Sequence, residues 1–392
     1  MLNTPFSPWP CFTEEEIQAV SQVLRSNQVN YWNGEEGRQF EKEFAEWTGS
    51  KYAVTASNGT VALELALVAL DLQPGDEVIV TPRTFFASVS TIIAAGGVPV
   101  FADVDPNSQN ITSESIEKVL TPRAKAIVCV HLAGWPCEMD EIMALAEKNN
   151  LYVIEDCAQA HGSYYKGRSV GSIGHIGAWS FCQDKIMTTA GEGGMVTTSD
   201  EHFWKKMWAY KDHGKSYDKV HSNGNRSNES SWLHESFGIN GRLTEMQCAV
   251  GRIQIKRMPE WSRIRRANSD YINQICSKIP SLHVPKVPEH IEHARYKNYV
   301  LVRPDRLKES WSRNRIVSEI NRLGVPCYTG CCAEVYLEKA FNGTSWRPDV
   351  RLPVAKELGE TSLMFLVHPT LSELEIEKTC AVIKKVLENA SI

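Results

Sequence analysis

No stretch of this sequence stays apolar for long. The longest nearly apolar run, Thr91 to Ala102, is interrupted by two glycines and a proline and falls short of the ~20 residues that a bilayer-crossing helix requires. Met1 to Pro10 lacks the charged head and apolar stretch of an export signal, so neither export nor a membrane span is expected. An excess of positive charge is missing as well. Lys and Arg number 42 against 47 Asp and Glu, a formal net charge of -5, and a chain so balanced sets up no basic field to gather nucleic acid. Metal-binding spacing is also lacking. Cys327, Cys331 and Cys332 form the one close cysteine cluster, without a CxxC pattern or a nearby histidine pair, and no metal is expected there. Eleven cysteines, several inside apolar runs such as those of Cys129 and Cys157, fit a reduced, cytoplasmic protein rather than a disulfide framework. No internal repeat or low-complexity segment is visible.

What the chain does have is length and apolar content, 392 residues at 42% hydrophobic, enough for a full core and for more than one simple domain. From Lys51 to about Asp200, short apolar runs alternate with helical patterns, which is how a mostly parallel sheet with helices on both faces reads in sequence. Strands are predicted at 52–56, 77–81, 98–104, 126–131, 152–156, 178–181 and 194–198, and helices at 60–70, 85–95, 113–120 and 139–149. The last two strands are joined by a loop without a helix, and that loop holds Lys185. Residues 211–236 are polar and rich in Asn, Ser and Gly and read as a long exposed loop. A helix from 244 is expected to run on past Pro259 to about 277. The fold class predicted is α/β: a mostly parallel seven-stranded sheet sandwiched by helices over residues 1–258, followed by a smaller α+β domain over 259–392. The second domain holds a strand near 299–302 and a final helix at 372–389, and the first ~30 residues are expected to pack with it.

Four constellations carry chemistry. Ile154 to Gly162 puts an acidic residue at the end of a buried strand, and in open α/β sheets ligands gather at the carboxyl ends of strands. A carboxylate there needs a cationic partner, and a protonated pyridine nitrogen is one; Asp156 fits that role, although Asp also serves as an ordinary cap. Lys185 follows an apolar strand and precedes a turn dense in Gly and Thr, a setting that can desolvate an amine into a nucleophile; taken alone it also reads as a surface loop lysine. Asn58, Gly59 and Thr60 lie at a strand-to-helix junction, where free N–H groups and hydroxyls hold a phosphate or simply cap the helix. Phe85, at another strand end, can stack on a planar ring or pack as core.

The joint order of these segments resembles the DegT/DnrJ/EryC1/StrS family of sugar aminotransferases, which are fold type I (aspartate aminotransferase-like) pyridoxal-phosphate enzymes. The likeness runs over nearly the whole chain. It begins at Phe40-Glu41-Lys42-Glu43-Phe44-Ala45 and passes through Asn58-Gly59-Thr60, Thr84-Phe85, the 156–162 run and Ser180 to Gly194. Gly238-Ile239-Asn240-Gly241-Arg242-Leu243-Thr244-Glu245, Leu352-Pro353-Val354-Ala355 and His368-Pro369 complete it. The resemblance implies pyridoxal 5'-phosphate as cofactor, with pyridoxamine 5'-phosphate as its aminated form, carried on Lys185 as a Schiff base. It places Asp156 on the pyridine nitrogen, Gln159 on the phenolic oxygen and Phe85 on the ring face opposite the substrate. Gly59, Thr60 and Ser180 would hold the phosphate, and Asn240 would complete that cup from the other subunit of a homodimer.

The implied reaction moves an amino group from glutamate to a nucleotide-linked keto sugar. Members with histidine in place of the lysine dehydrate instead, and this chain keeps Lys185. A dehydratase or another synthase of the family, and a catalytically idle sensor or regulator with the same fold, are the alternatives. Gln183-Asp184, where many members have Pro-Thr, resembles the subgroup acting on UDP-linked 4-keto-6-deoxy-N-acetylhexosamines, which points to C-4 amination for surface polysaccharides such as the O-antigen of lipopolysaccharide. Arg83 departs from the small or neutral residue expected ahead of Thr84. It reads either as a surface arginine or as a contact to a diphosphate or to the donor's carboxylate. His213, at the mouth of the polar loop, reads as a solvated histidine or as a sugar contact.

Overall fold

Among the described residues, nine short strands precede the long polar segment: β1 (Tyr52–Ala56), β2 (Glu77–Val80), β3 (Val98–Phe101), β4 (Ala124–Val130), β5 (Tyr152–Asp156), β6 (Tyr164–Tyr165), β7 (Arg168–Ser169), β8 (Ile176–Ser180) and β9 (Gly194–Thr198). The structure is a computed structural model and describes residues 5–221 and 233–392. Seven of these strands make one sheet in the order β1-β9-β8-β5-β4-β2-β3. The pairs among β8, β5, β4, β2 and β3 are parallel, whereas β9 runs antiparallel to both of its neighbours. That reversal follows from the loop after β8, which contains no crossover helix to carry the chain back. Both faces are covered. Val78, Val80, Val128 and Ile154 enter one apolar cluster and Ile79, Ile127 and Val153 the other, so these strands read as continuous apolar runs rather than as alternating ones.

Five further strands follow among the described residues: β10 (Leu282–His283), β11 (Ile291–Glu292), β12 (Asn298–Val302), β13 (Cys327–Tyr328) and β14 (Ser362–Phe365). Four of them form an antiparallel sheet, β10-β12-β14-β13, while β11 joins β6 and β7. The four-stranded sheet packs with the helix Glu373–Ala390 around Val300, Leu363, Phe365, Ile376 and Ile383. One helix serves both cores. Glu245–Cys276, capped by Thr244 and Gln247, runs unbroken through Pro259. Its Gly251 meets the Phe40 ring so closely that a Cβ would stand 2.5 Å from it, and its Ile272 and Cys276 belong to the second core. Phe6 packs against that second core, and Ser7 hydrogen-bonds Glu375.

Expectation and observation differ in several places: the strand predicted at 98–104 ends at Phe101 and the helix predicted at 113–120 ends at Glu117. The helix predicted at 85–95 begins at Ala87, which leaves Phe85 outside it. Lys211 does not open an exposed loop. It ends the helix Glu201–Lys211 and is fully buried, with Nζ 3.2 Å from Glu41 Oε1 and 4.0 Å from the centre of the Tyr31 ring. A carboxylate and a ring face together make an interior ammonium tolerable. A short helix, Tyr217–His221, follows, and residues 222–232 of the predicted loop lie outside the described residues.

Glu155 shows how tightly the carboxyl end of the sheet is tied. Fully buried, it accepts hydrogen bonds from the N–H groups of Gly171 (2.9 Å), Ile173 (2.8 Å) and Gly174 (2.6 Å) and pairs with His131 Nε2 at 3.0 Å. Burial pushes its carboxyl up, but His131 and the glycine N–H groups outweigh this and hold it below 4.5. We expect Glu155→Ala to cost about 3–5 kcal/mol, because four donors, three of them buried, lose their acceptor. Since the folded pKa is lowered, the deficit should be complete near neutral pH and shrink as the pH falls through that lowered value. Thermal unfolding of parent and variant at several pH values measures both effects, and a deficit independent of pH would assign the stabilisation to shape rather than to charge.

Candidate active site

β5 and β8 lie side by side, with Asp156 opposite Ala178, so Asp156, Ser180 and the turn that carries Lys185 share one edge of the sheet. A cavity of about 1230 Å³ opens there, and Gly59, Thr60, Phe85, Asp156, Gln159, Ser180 and Lys185 all line it. It exceeds the ~300–1000 Å³ of common small-molecule pockets, leaving room for two ligands at once.

At one end a helix begins. Asn58 caps Gly59–Ala69 by accepting from the Val61 N–H at 2.9 Å, which leaves the first N–H groups of the helix for a ligand. A Cβ on Gly59 would sit 2.5 Å from Ser180 Cβ and 2.8 Å from its Oγ, so only glycine lets this helix end stand against the serine. The resulting cradle of N–H groups and hydroxyls suits a phosphate.

Asp156 lies further along the floor. Its Oδ2 accepts from Ser88 Oγ at 2.7 Å and its Oδ1 from the Ala158 N–H at 3.1 Å. Burial raises its carboxyl above the usual 3.8 in spite of these bonds, the signature of an acid short of a cationic partner. Gln159 Oε1 accepts from the Ala133 N–H at 2.8 Å, so its amide nitrogen is the atom left to donate. Phe85 is 66% exposed, which for a phenylalanine bordering a cavity fits a ring that waits for a ligand rather than one packed as core.

Lys185 Nζ stands 3.9 Å from Asp184 Oδ1 and 5.1 Å from the centre of the Tyr296 ring. The Tyr296 hydroxyl makes a short hydrogen bond to Asp184. Although burial opposes it, Asp184 is held below its usual carboxylate value by Lys185, Tyr296 and Lys297. The Trp9 indole N–H donates to the Lys185 carbonyl at 2.8 Å, and Trp9 stacks edge-on against Trp261. Trp9, Tyr296, Lys297, Tyr299 and His368 line the cavity too. Sequence reasoning gave none of them a place in the site: His368 entered only as part of the resemblance, and Trp9, Tyr296, Lys297 and Tyr299 come from segments remote from the motifs. The one local signal is alternation: Lys297 and Tyr299 project to the cavity while Asn298 and Val300 are buried.

Three predicted residues lie elsewhere. Arg83 is neither a surface arginine nor a cavity residue: it is fully buried, with Nε donating to Gln109 Oε1 and Nη2 to Ser362 Oγ, both at 2.8 Å, beneath the Tyr299 ring. Side chains from three distant segments close around it, and Tyr299 takes the cavity side. His213 and Asn240 are exposed and do not line the cavity of their own chain. They sit on one patch, since Asp212 bridges to Asn240 and the His213 N–H donates to Ile239. The Ser57 N–H donates to the Gly241 carbonyl at 2.8 Å, which ties this patch to the phosphate-type cradle. His131, Glu155 and Cys157 could together offer ligand atoms to a metal, but the Glu155 carboxylate and the His131 ring are already saturated by protein groups.

The family model of the DegT/DnrJ/EryC1/StrS aminotransferase family matches residues 10–384. An aminotransferase from Psychrobacter cryohalolentis, known from its X-ray structure, is 64% identical and has a TM-score of 0.97, covering 98% of this chain and 99% of its own. GDP-perosamine synthase of Escherichia coli O157:H7 is 34% identical over 371 residues, 95% of each chain. A Streptococcus pneumoniae protein solved in its PLP form is 26% identical, with a TM-score of 0.87 over 99% of each chain. With nearly its whole length matched and the same sheet architecture in its solved relatives, this chain belongs to the DegT/DnrJ/EryC1/StrS aminotransferase family.

Proposed function

We propose that this aminotransferase moves an amino group from glutamate to a nucleotide-linked keto sugar, at C-4 of a UDP-2-acetamido-2,6-dideoxy-4-keto-hexose destined for a surface polysaccharide such as O-antigen. The observation that carries the reading is the meeting of Lys185, Asp156 and the Gly59–Ser180 cradle in one cavity. A nucleotide-linked acceptor is supported by the likeness to GDP-perosamine synthase. The UDP-acetamido assignment rests on Gln183-Asp184 ahead of the lysine. The cofactor is pyridoxal 5'-phosphate.

The residues present fit that group. Its phosphate suits the helix end at Gly59 and Thr60 with Ser180 Oγ, its protonated nitrogen suits the under-partnered Asp156, and its ring suits the exposed face of Phe85. Gln159 would donate to the phenolic oxygen. When bound, pyridoxal phosphate supplies an electron-withdrawing ring beside the amine being exchanged. Lys185 Nζ would hold the cofactor and, once free, would take the proton from the donor's α-carbon. In the second half of the cycle it returns a proton to the sugar carbon. Asp156 would hold its negative charge toward the pyridine nitrogen and so favour the protonated form of that nitrogen. Asn240, exposed and outside its own cavity, would act on the phosphate of a partner subunit in a homodimer.

Lys185→Ala should abolish turnover, since both the attachment point and the proton carrier are lost. Glutamate with a panel of UDP-, GDP- and dTDP-linked keto sugars, read by product mass, measures this and identifies the acceptor; amination of a GDP sugar alone would displace the UDP assignment. Asp156→Asn should retain bound cofactor by absorbance yet slow turnover ~100-fold or more, because a neutral partner no longer favours the protonated ring. Near-normal turnover with cofactor bound would remove Asp156 from the chemistry. Mixing Lys185→Ala chains with Asn240→Asp chains should restore roughly a quarter of parental activity, as half of the randomly exchanged dimers carry one intact site each. If subunit exchange is verified and no activity returns, Asn240 serves its own chain.

A further inference from the structure

Both co-substrates of this reaction are anions, and the cavity offers them few cations. Among the described residues that line it, the basic side chains are Lys185, Lys297 and His368. Burial, helped by Arg265 and Lys297, holds His368 down at about 3, so it is neutral near pH 7. Lys185 is occupied by the cofactor. Arg83, whose place ahead of Thr84 suggested an anion contact, is walled off behind Tyr299. Lys297 remains.

We propose that Lys297 binds the α-carboxylate of the amino donor. The inference rests on the aminotransferase reading above and names the donor subsite of that same cavity. Its support is positional. Lys297 Nζ lies 4.0 Å from Asp184 Oδ2 and 4.7 Å from the centre of the Tyr296 ring, while Lys185 Nζ lies 3.9 Å from Asp184 Oδ1 and 5.1 Å from that same ring centre. The two amines therefore flank one Asp–Tyr pair. A donor whose nitrogen replaces Lys185 carries its carboxylate on the very next carbon, whereas a diphosphate is held away from the reacting carbon by the whole hexose ring. A cation that shares the Asp184–Tyr296 pair with Lys185 is thus better placed for the carboxylate than for the diphosphate.

The electrostatics agree. Asp184 is already bonded to the Tyr296 hydroxyl and shares its remaining pull between two lysines at long range. Burial lowers the Lys297 ammonium to about 8, and Arg265 and Lys185 push in the same direction against Asp184. Arg265 lies behind, with Nη1 donating to the Tyr296 carbonyl at 3.3 Å. An incoming carboxylate would meet a cation whose charge is incompletely balanced and sheltered from bulk water, where a charged hydrogen bond counts for most.

The test uses the cofactor-loaded dimer of the parent, Lys297→Met and Lys297→Arg. Without sugar, each is titrated with L-glutamate while the visible absorbance of the cofactor is followed, and the binding of glutarate, which has no amine to react, is measured by calorimetry. Lys297→Met should raise the half-saturating glutamate concentration and the glutarate Kd about 10-fold or more, while KM for the keto sugar stays within about twofold. Lys297→Arg should remain close to the parent in both, and if Lys297→Met fails to hold its cofactor, Lys297→Arg decides: a loss of about 10-fold there overturns a charge-based role. Unchanged glutamate and glutarate binding in Lys297→Met would overturn the proposal, as would a rise confined to KM of the sugar, which would move Lys297 to the diphosphate. If the parent itself fails to react with glutamate or any other amino donor, the aminotransferase reading falls, and the glutarate arm still reports whether Lys297 holds a carboxylate.

Discussion

Two carboxylates stand next to each other at the end of β5, and the alternation of the strand sends them to opposite faces of the sheet. Much of the architecture follows from how differently they are treated. Glu155 turns toward the loop at 171–174 and receives four donors, so the protein alone satisfies it. Asp156 turns toward the cavity and receives two. An ion buried without full compensation is tolerable only where its deficit serves something else. Here the deficit faces the space a cationic ring nitrogen would enter. The saturated neighbour fixes the strand end, and the unsaturated one uses that rigidity.

Close approach is the second constraint. Gly59 stands against Ser180, and a Cβ on Gly194 would lie 2.4 Å from the Asn58 carbonyl oxygen. The antiparallel β9 thereby presses its first residue against the turn that leads into the helix at Gly59. The helix end and the serine are consequently set by close contacts of backbone and a short side chain rather than by long flexible ones, which is what a phosphate needs if it is to locate the rest of a ligand.

Legibility in the sequence divided along the same line. The seven-stranded sheet could be read because its strands are buried on both faces and stay apolar from end to end. Asp156, Ser180 and Lys185 could be read because they stand at the ends of such runs. Arg83 looked exposed because Pro82 and Thr84 make its surroundings look like a turn; nothing local announces that Gln109, Tyr299 and Ser362 will converge on it. Lys211 misled for the same reason, since its partner Glu41 is 170 positions away. Lys297 escaped notice because a lysine before a short strand has no motif, and its meaning comes from Asp184 and Tyr296 folding against it. Local pattern specifies elements, whereas pairing of buried charge is decided by tertiary contact.

The wall of the cavity facing the large sheet is assembled from late parts of the chain: Tyr296 to Tyr299, Gly330 and Cys331, and Met364 to His368, with Trp9 closing in from the other end. Chains emerge from the ribosome in order and fold as they do. A nascent chain that has just released Lys185 thus possesses that lysine and the acid at the end of β5 while water still reaches them freely. The enclosure that makes this amine different from any other lysine arrives only with the final stretch of synthesis, so the newly made protein passes through a stage in which the large sheet exists and the reaction vessel does not.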